Sequence, residues 1–193
     1  LLFSGDIKYE KSWLFDAATV RFPKADTLVI ESTYGGPQDF QPNRTDATHE
    51  IQDLIRLAVS RSGKVFCPVF AVGRSQEVML AIDQLFKSGD VTPVTVWLDG
   101  MISEATAIHA SHPDYLNRDL RKQVLRGGDE NPFNSQWFKQ VDSREQRESI
   151  INDPSPCIVL ATSGMMTGGP IMEYFRNWAP ELNNTLCFVG YQA

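Results

Sequence analysis

The 193 residues are 42% hydrophobic and 22% charged, an ordinary globular balance and enough chain to bury the core of one domain or one and a fraction. A formal net charge of −6 excludes a global basic field, so any polyanion site must be a local cleft of backbone amides and a few arginines. No stretch approaches the length of a membrane span and no signal peptide is visible, which makes a cytoplasmic protein without a membrane partner the default.

Leu1-Leu2-Phe3-Ser4-Gly5-Asp6 reads as a strand ending in a carboxylate. The chain starts there inside an apolar run, without an initiator methionine, as a piece of a longer protein would. A short helix is predicted over residues 13–20, then a strand over 27–31 that ends in Glu31, then the loop Ser32-Thr33-Tyr34-Gly35-Gly36-Pro37. Residues 39–46 are polar and carry Pro42, the largest organisational break. Beyond it, strands and helices alternate. Thr45 or Asp46 can cap a helix whose apolar face is Ile51, Leu54, Ile55 and Ala58. A strand over 65–72 leads through Gly73-Arg74-Ser75 into a helix with Val78, Ile82, Leu85 and Phe86 inward. A strand over 94–98 ends at Asp99-Gly100, and helices follow over 103–109 and 117–126. Residues 137–141 make a weak strand, and Ser143 with Gln146 suits a capping box for a helix over 144–151.

Cys157 to Ala161 is a short apolar run, then Thr162-Ser163-Gly164-Met165-Met166-Thr167-Gly168-Gly169-Pro170 opens a helix with Ile171, Tyr174, Phe175 and Trp178 on one face. Such a loop aims backbone N–H groups and a helix N-terminus at an anion such as phosphate; its plainer reading is a junction whose glycines permit close packing. Residues 185–189 make the last strand. This alternation argues for an α/β fold, a parallel-type sheet with helices on both faces. Ligands bind such sheets outside the carboxyl ends of the strands. That rule puts Asp6, residues 31–36, 72–74 and 163–169 on one rim, with Asp99-Gly100 as a fifth segment.

Each candidate has a plain alternative. Asp6 suits a metal ligand or a turn aspartate. Glu31, among apolar neighbours, needs a partner. Arg74 at a helix N-terminus opposes the dipole, which suits an anion contact or a salt bridge to Glu77 or Asp99. His109 and His112 lack the helical zinc pattern, and Pro113 follows them, so the pair ends a helix. Arg118, Arg121, Lys122 and Arg126 could touch phosphates, but mixed with Asp114 and Asp119 they read as a solvated helix. Cys67, Cys157 and Cys187 form no Cys-x-x-Cys motif and read as buried free thiols.

Phe3-Ser4-Gly5-Asp6, Glu31-Ser32-Thr33-Tyr34-Gly35-Gly36, Pro68-Val69-Phe70-Ala71-Val72-Gly73-Arg74-Ser75-Gln76-Glu77 and Ala161-Thr162-Ser163-Gly164-Met165-Met166 occur in that order. Together they resemble the β-CASP branch of the metallo-β-lactamase fold, in the subfamily of the 73-kDa-type cleavage and polyadenylation specificity factor nucleases. Leu98-Asp99-Gly100-Met101, Glu104-Ala105-Thr106-Ala107-Ile108-His109 and the closing Gly190-Tyr191-Gln192-Ala193 look most like its archaeal members.

The resemblance implies a zinc-dependent ribonuclease acting on RNA in 3′-end formation or transcription termination, homodimeric at full length. It implies residues 1–34 as the terminal strands of a metallo-β-lactamase αββα core and 35–193 as the β-CASP domain, covering the metal site and forming an RNA cleft. Asp6 would bridge two Zn2+ ions, and Glu31 would orient a histidine that protonates the leaving oxygen. Arg74, Ser163, Gly164, Gly168 and Gly169 would bind substrate. The family's histidine-rich zinc motifs and that histidine are missing from these 193 residues, so the piece alone is expected to be inactive. The alternatives are a non-catalytic RNA-binding or scaffold paralogue, and a small nucleotide-binding α/β domain, for which no phosphate-loop motif is present.

Overall fold

The computed structural model describes residues 1–19, 21–40 and 42–190. Val20, Gln41 and the closing Tyr191-Gln192-Ala193 lie outside them. The first two strands, β1 (Leu2–Phe3) and β2 (Leu28–Val29), pair in parallel with each other. Then come α1 (Arg44–Ser60), β3 (Val65–Pro68), α2 (Arg74–Ser88), β4 (Val96–Asp99), α3 (Ile102–Ser111) and α4 (Arg118–Arg126). The chain continues with β5 (Phe138–Gln140), α5 (Arg144–Asn152), β6 (Ile158–Ala161), α6 (Ile171–Trp178) and β7 (Thr185–Leu186). The strands from β3 onward form one parallel sheet in the order β5-β4-β6-β3-β7.

Side-chain alternation divides this sheet into two faces. Val65 and Cys67, Val96 and Leu98, and Ile158 and Leu160 point to one side. There they meet Ile51, Ile55 and Ala58 of α1, Val78, Ile82 and Leu85 of α2, Ile102 of α3, and Leu120 and Val124 of α4. Phe66, Val159 and Ala161 point to the other side, against Ile150 of α5 and Ile171, Tyr174 and Trp178 of α6. The central strands β3 and β6 are buried on both faces, which is why their sequences are continuous apolar runs rather than alternating ones. The α/β architecture with helices on both faces is therefore as the sequence predicts. Among the described residues no helix is long and apolar enough to cross a membrane.

Several local expectations are corrected. No helix forms over residues 13–19. Instead the Ser12 hydroxyl accepts from the amides of Leu14 and Phe15, at 3.1 and 2.9 Å, closing a tight turn. That turn drives Leu14, fully buried, into the α1–α4 side of the core. Asn117 fastens it by donating its side-chain amide to the carbonyls of Ser12 and Trp13. The cap of α1 is Asn43 rather than Thr45 or Asp46: its Oδ1 accepts from the Asp46 amide at 2.9 Å. Ser143 caps α5 by accepting from Gln146 at 3.1 Å, but the Gln146 side chain returns to the amide of Asp142 and not to that of Ser143.

The larger correction concerns the rim. Because β1 and β2 form a separate sheet, Asp6 and residues 31–36 follow the carboxyl ends of those two strands, not the edge of the five-stranded sheet.

Candidate nucleic-acid interface

Two loops at the carboxyl edge of the larger sheet carry the predicted residues. The first runs from β3 to α2. It is held from beneath by Gln76, 0% exposed, whose Oε1 accepts from the Gly73 amide at 2.7 Å. Its Nε2 donates to Ala71 O at 3.0 Å and to Thr106 Oγ1 at 2.9 Å. Every polar atom of this buried amide is thus used, and the loop is fixed at Gly73, whose φ of 83° suits glycine. Held in this way, the loop presents Phe70, 46% exposed, and the still more exposed Val72.

The second is the glycine loop between β6 and α6. Its internal bonds run from Ser163 N to Gly168 O at 3.2 Å, Met166 N to Ser163 O at 3.1 Å and Thr167 N to Ser163 Oγ at 3.2 Å. None of these takes up the amides of Met165, Gly168 or Gly169. Gly164 is buried beneath Phe70: a Cβ there would lie 2.9 Å from the Phe70 ring. A Cβ on Gly169 would lie 2.7 Å from Thr162 O. Close packing is thus one reason for both glycines, and it presses the two loops together at Phe70. Ser163, Gly168 and Gly169 remain at the accessible side of the loop.

Beneath the glycine loop lies a buried charge pair that the sequence did not disclose. Asp99, at the end of β4 and 1% exposed, receives Arg147 Nε on Oδ2 at 2.7 Å and Nη2 on Oδ1 at 2.9 Å. The Tyr174 hydroxyl adds a bond to Oδ2 at 2.8 Å, and Arg147 Nη1 reaches Glu173 at 3.2 Å. The Asp99 carbonyl in turn accepts from the Thr162 amide. Burial, then Asp99, pushes the Tyr174 hydroxyl well above its ordinary range. The hydrogen bond to Asp99 likewise raises the Arg147 guanidinium. This is a bidentate, fully partnered fork, and it anchors α5 and α6 to the base of the loop. It also answers the question about Arg74: its carboxylate is Glu77, at 3.1 Å, while Asp99 belongs to Arg147.

At the smaller sheet, Asp6 is exposed. The Glu31 carboxylate accepts from the Thr33 amide at 2.8 Å. This bond, with the Thr33 hydroxyl and the Ile7 amide, holds it below the usual carboxylate range. The Glu31 amide donates to Ser4 Oγ at 3.2 Å. Asp6 and Glu31 thus belong to adjoining turns, tied through Ser4 and Ile7. As to whether these residues fit zinc, the described residues contain no group of three or more His, Cys, Asp or Glu side chains that could hold a metal ion. Since zinc needs at least three protein ligands, Asp6 could supply one donor and no more.

Several of the remaining candidates have partners of their own. His109 bonds its own helix through Nδ1 to Ala105 O at 2.7 Å, and His112 closes α3. Arg121 and Arg126 pair with Asp114 and Glu130. All three thiols are buried, and burial pushes Cys157 up to about 11, so it is a protonated packing group at neutral pH. The sequence also gave no sign of Lys64, whose ammonium lies over the Trp178 ring at 4.5 Å and caps α5 at the carbonyls of Ile150 and Asp153.

Residues 75–193 match the family described as the Beta-Casp domain. The whole chain is 53% identical to a protein of Methanosarcina mazei named Transcription termination factor FttA. It is 47% identical over all 193 residues to the protein of that name from Methanocaldococcus jannaschii, and 48% identical over 191 residues to that of Cenarchaeum symbiosum. In each case the chain spans 30% of the relative's length.

Proposed function

This chain belongs to the Beta-Casp domain family, and we propose on that footing that it is the RNA-facing module of a zinc-dependent ribonuclease acting in transcription termination or RNA 3′-end formation. The observation that carries the proposal is the carboxyl edge just described, where Phe70 locks the glycine loop against the Gly73–Arg74 turn. Single-stranded RNA suits such an edge: bases can stack on the exposed ring, and phosphates can meet backbone amides and arginine. Ser163, Gly168, Gly169 and Arg74 are the groups we assign to it, with Gly164 supporting Phe70 from below.

We assign residues 1–34 to the metallo-β-lactamase core and 35–193 to the β-CASP domain, with the turn at residues 12–15 as the clamp that crosses between them. Asp6 is the one metal donor we assign to this chain, and the other ligands of two zinc ions would come from the rest of the protein. Such ions supply an activated water for attack on phosphorus when bound. Glu31, its carboxylate fixed by the 31–33 turn, is a positioning residue for a partner imidazole. The full-length protein is proposed to be a cytoplasmic homodimer.

The test is cleavage of end-labelled RNA, with zinc, by the protein at the full length of its relatives, beside its Asp6→Ala variant and residues 1–193 alone. Cutting by the first only is the expected result. Cutting by the Asp6→Ala variant would make Asp6 a turn residue, and no cutting by any of the three would make the protein a scaffold.

A further inference from the structure

Two arginines converge on one carboxylate oxygen at this edge. Glu77 Oε2, on a side chain 13% exposed, accepts from Arg44 Nη1 at 3.0 Å and from Arg74 Nη1 at 3.1 Å. Arg44 is the first residue of α1 and Arg74 the first of α2. Each cation therefore sits at the helix end where the dipole disfavours it. The Lys8 ammonium is close enough to feel both guanidiniums and Glu77; burial first, then Arg44, lowers its pKa. Two arginines thus share one carboxylate, a surplus of one positive charge in a chain whose net charge is −6, while Lys8 adds a third cation that Glu10 also faces. Arg44 Nε, moreover, is buried, and no described residue accepts its hydrogen. If the carboxylate merely bolted α1 to α2, one arginine would complete it.

We propose that Arg44 and Arg74, gathered by Glu77, form a phosphate site that takes a backbone phosphate of the RNA as it passes the Phe70 edge. The inference rests on the RNA reading above and adds a site to it. The chemistry fits the ligand: guanidinium forks match phosphate oxygens, and the N-termini of α1 and α2 favour negative charge. Glu77 brings the two arginines together but neutralises only part of their charge, and a phosphate would compete with it for them.

The experiment measures binding of a fluorescent single-stranded RNA to the full-length protein across a series of salt concentrations, for wild type, Arg44→Gln/Arg74→Gln, Glu77→Gln and the distant control Arg56→Gln. Thermal melts establish that each variant is folded. The double arginine variant is expected to bind on the order of 10-fold more weakly, with the slope of log affinity against log salt falling by roughly 0.7 for the one phosphate lost. Arg56→Gln should match wild type, and Glu77→Gln should bind as well as wild type or better. If Glu77→Gln loses affinity as the double variant does, the cluster is a bolt between helices and the proposal is wrong. Wild-type binding that the double variant retains in full also overturns it, while leaving the RNA reading intact. No RNA binding by wild type overturns both. Inorganic phosphate raising the melting temperature of wild type but not of the double variant, without displacing RNA, would show a free-anion site and overturn the RNA assignment.

Discussion

Arg147→Ala is expected to destabilise the fold by about 3–5 kcal/mol, because it leaves Asp99 buried without its cation. Asp99 is 1% exposed and would keep only the Tyr174 hydroxyl, having lost two charge-assisted bonds of 2.7 and 2.9 Å. The cost is that of a stranded charge rather than of the pair itself. Removing both charges in Asp99→Leu/Arg147→Met should therefore restore most of the stability. Chemical denaturation of the three proteins checks this. A loss below about 1 kcal/mol in the single variant, the range of a surface pair, would mean that the fork is not what holds α5 and α6 to the sheet.

Gly169→Ala is expected to cost about 2–5 kcal/mol, from two sources that add. The residue has φ of +76°, which costs an L side chain roughly 1–2 kcal/mol. The new Cβ would also stand 2.7 Å from Thr162 O, and overpacking of this kind costs about 1–3 kcal/mol. Thr162 cannot withdraw freely, since its amide is bonded to Asp99 and its carbonyl accepts from Ile171 at the start of α6. Gly89→Ala, at the C-cap of α2, separates the two sources. Its φ is +80° with ψ of 2°, but a Cβ there meets nothing within 4 Å, so only the conformational cost of about 1–2 kcal/mol applies. Equal losses at the two positions would show that the packing against Thr162 contributes nothing.

What the sequence disclosed follows from how far its signals reach. β3, β6 and their following helices were legible because apolar runs and helical periodicity are local, and Glu77, three residues from Arg74, is one of the two carboxylates the sequence offers it as a partner. The Asp99–Arg147–Tyr174 fork was not, because its members lie 48 and 75 residues from Asp99 and nothing local distinguishes Arg147 from the other arginines of a polar helix. Residues 13–19 show the opposite failure. A short helix is predicted there, but the Ser12 hydroxyl satisfies two amides in a turn, and Leu14 is buried by tertiary packing that no periodicity encodes. The rim was misjudged because strand order is a tertiary fact: two short strands that end in carboxylates look alike whether they extend the main sheet or pair alone.

The central claim is that RNA meets the carboxyl edge of the five-stranded sheet, and photo-crosslinking tests it most directly. Single-stranded RNA carrying 4-thiouridine would be crosslinked to the full-length protein and the adducts mapped by peptide mass spectrometry. The account places them on Phe70 and on residues 163–169. Adducts confined to residues 57–63 and 181–184, at the opposite edge where β3 and β7 begin, would contradict it.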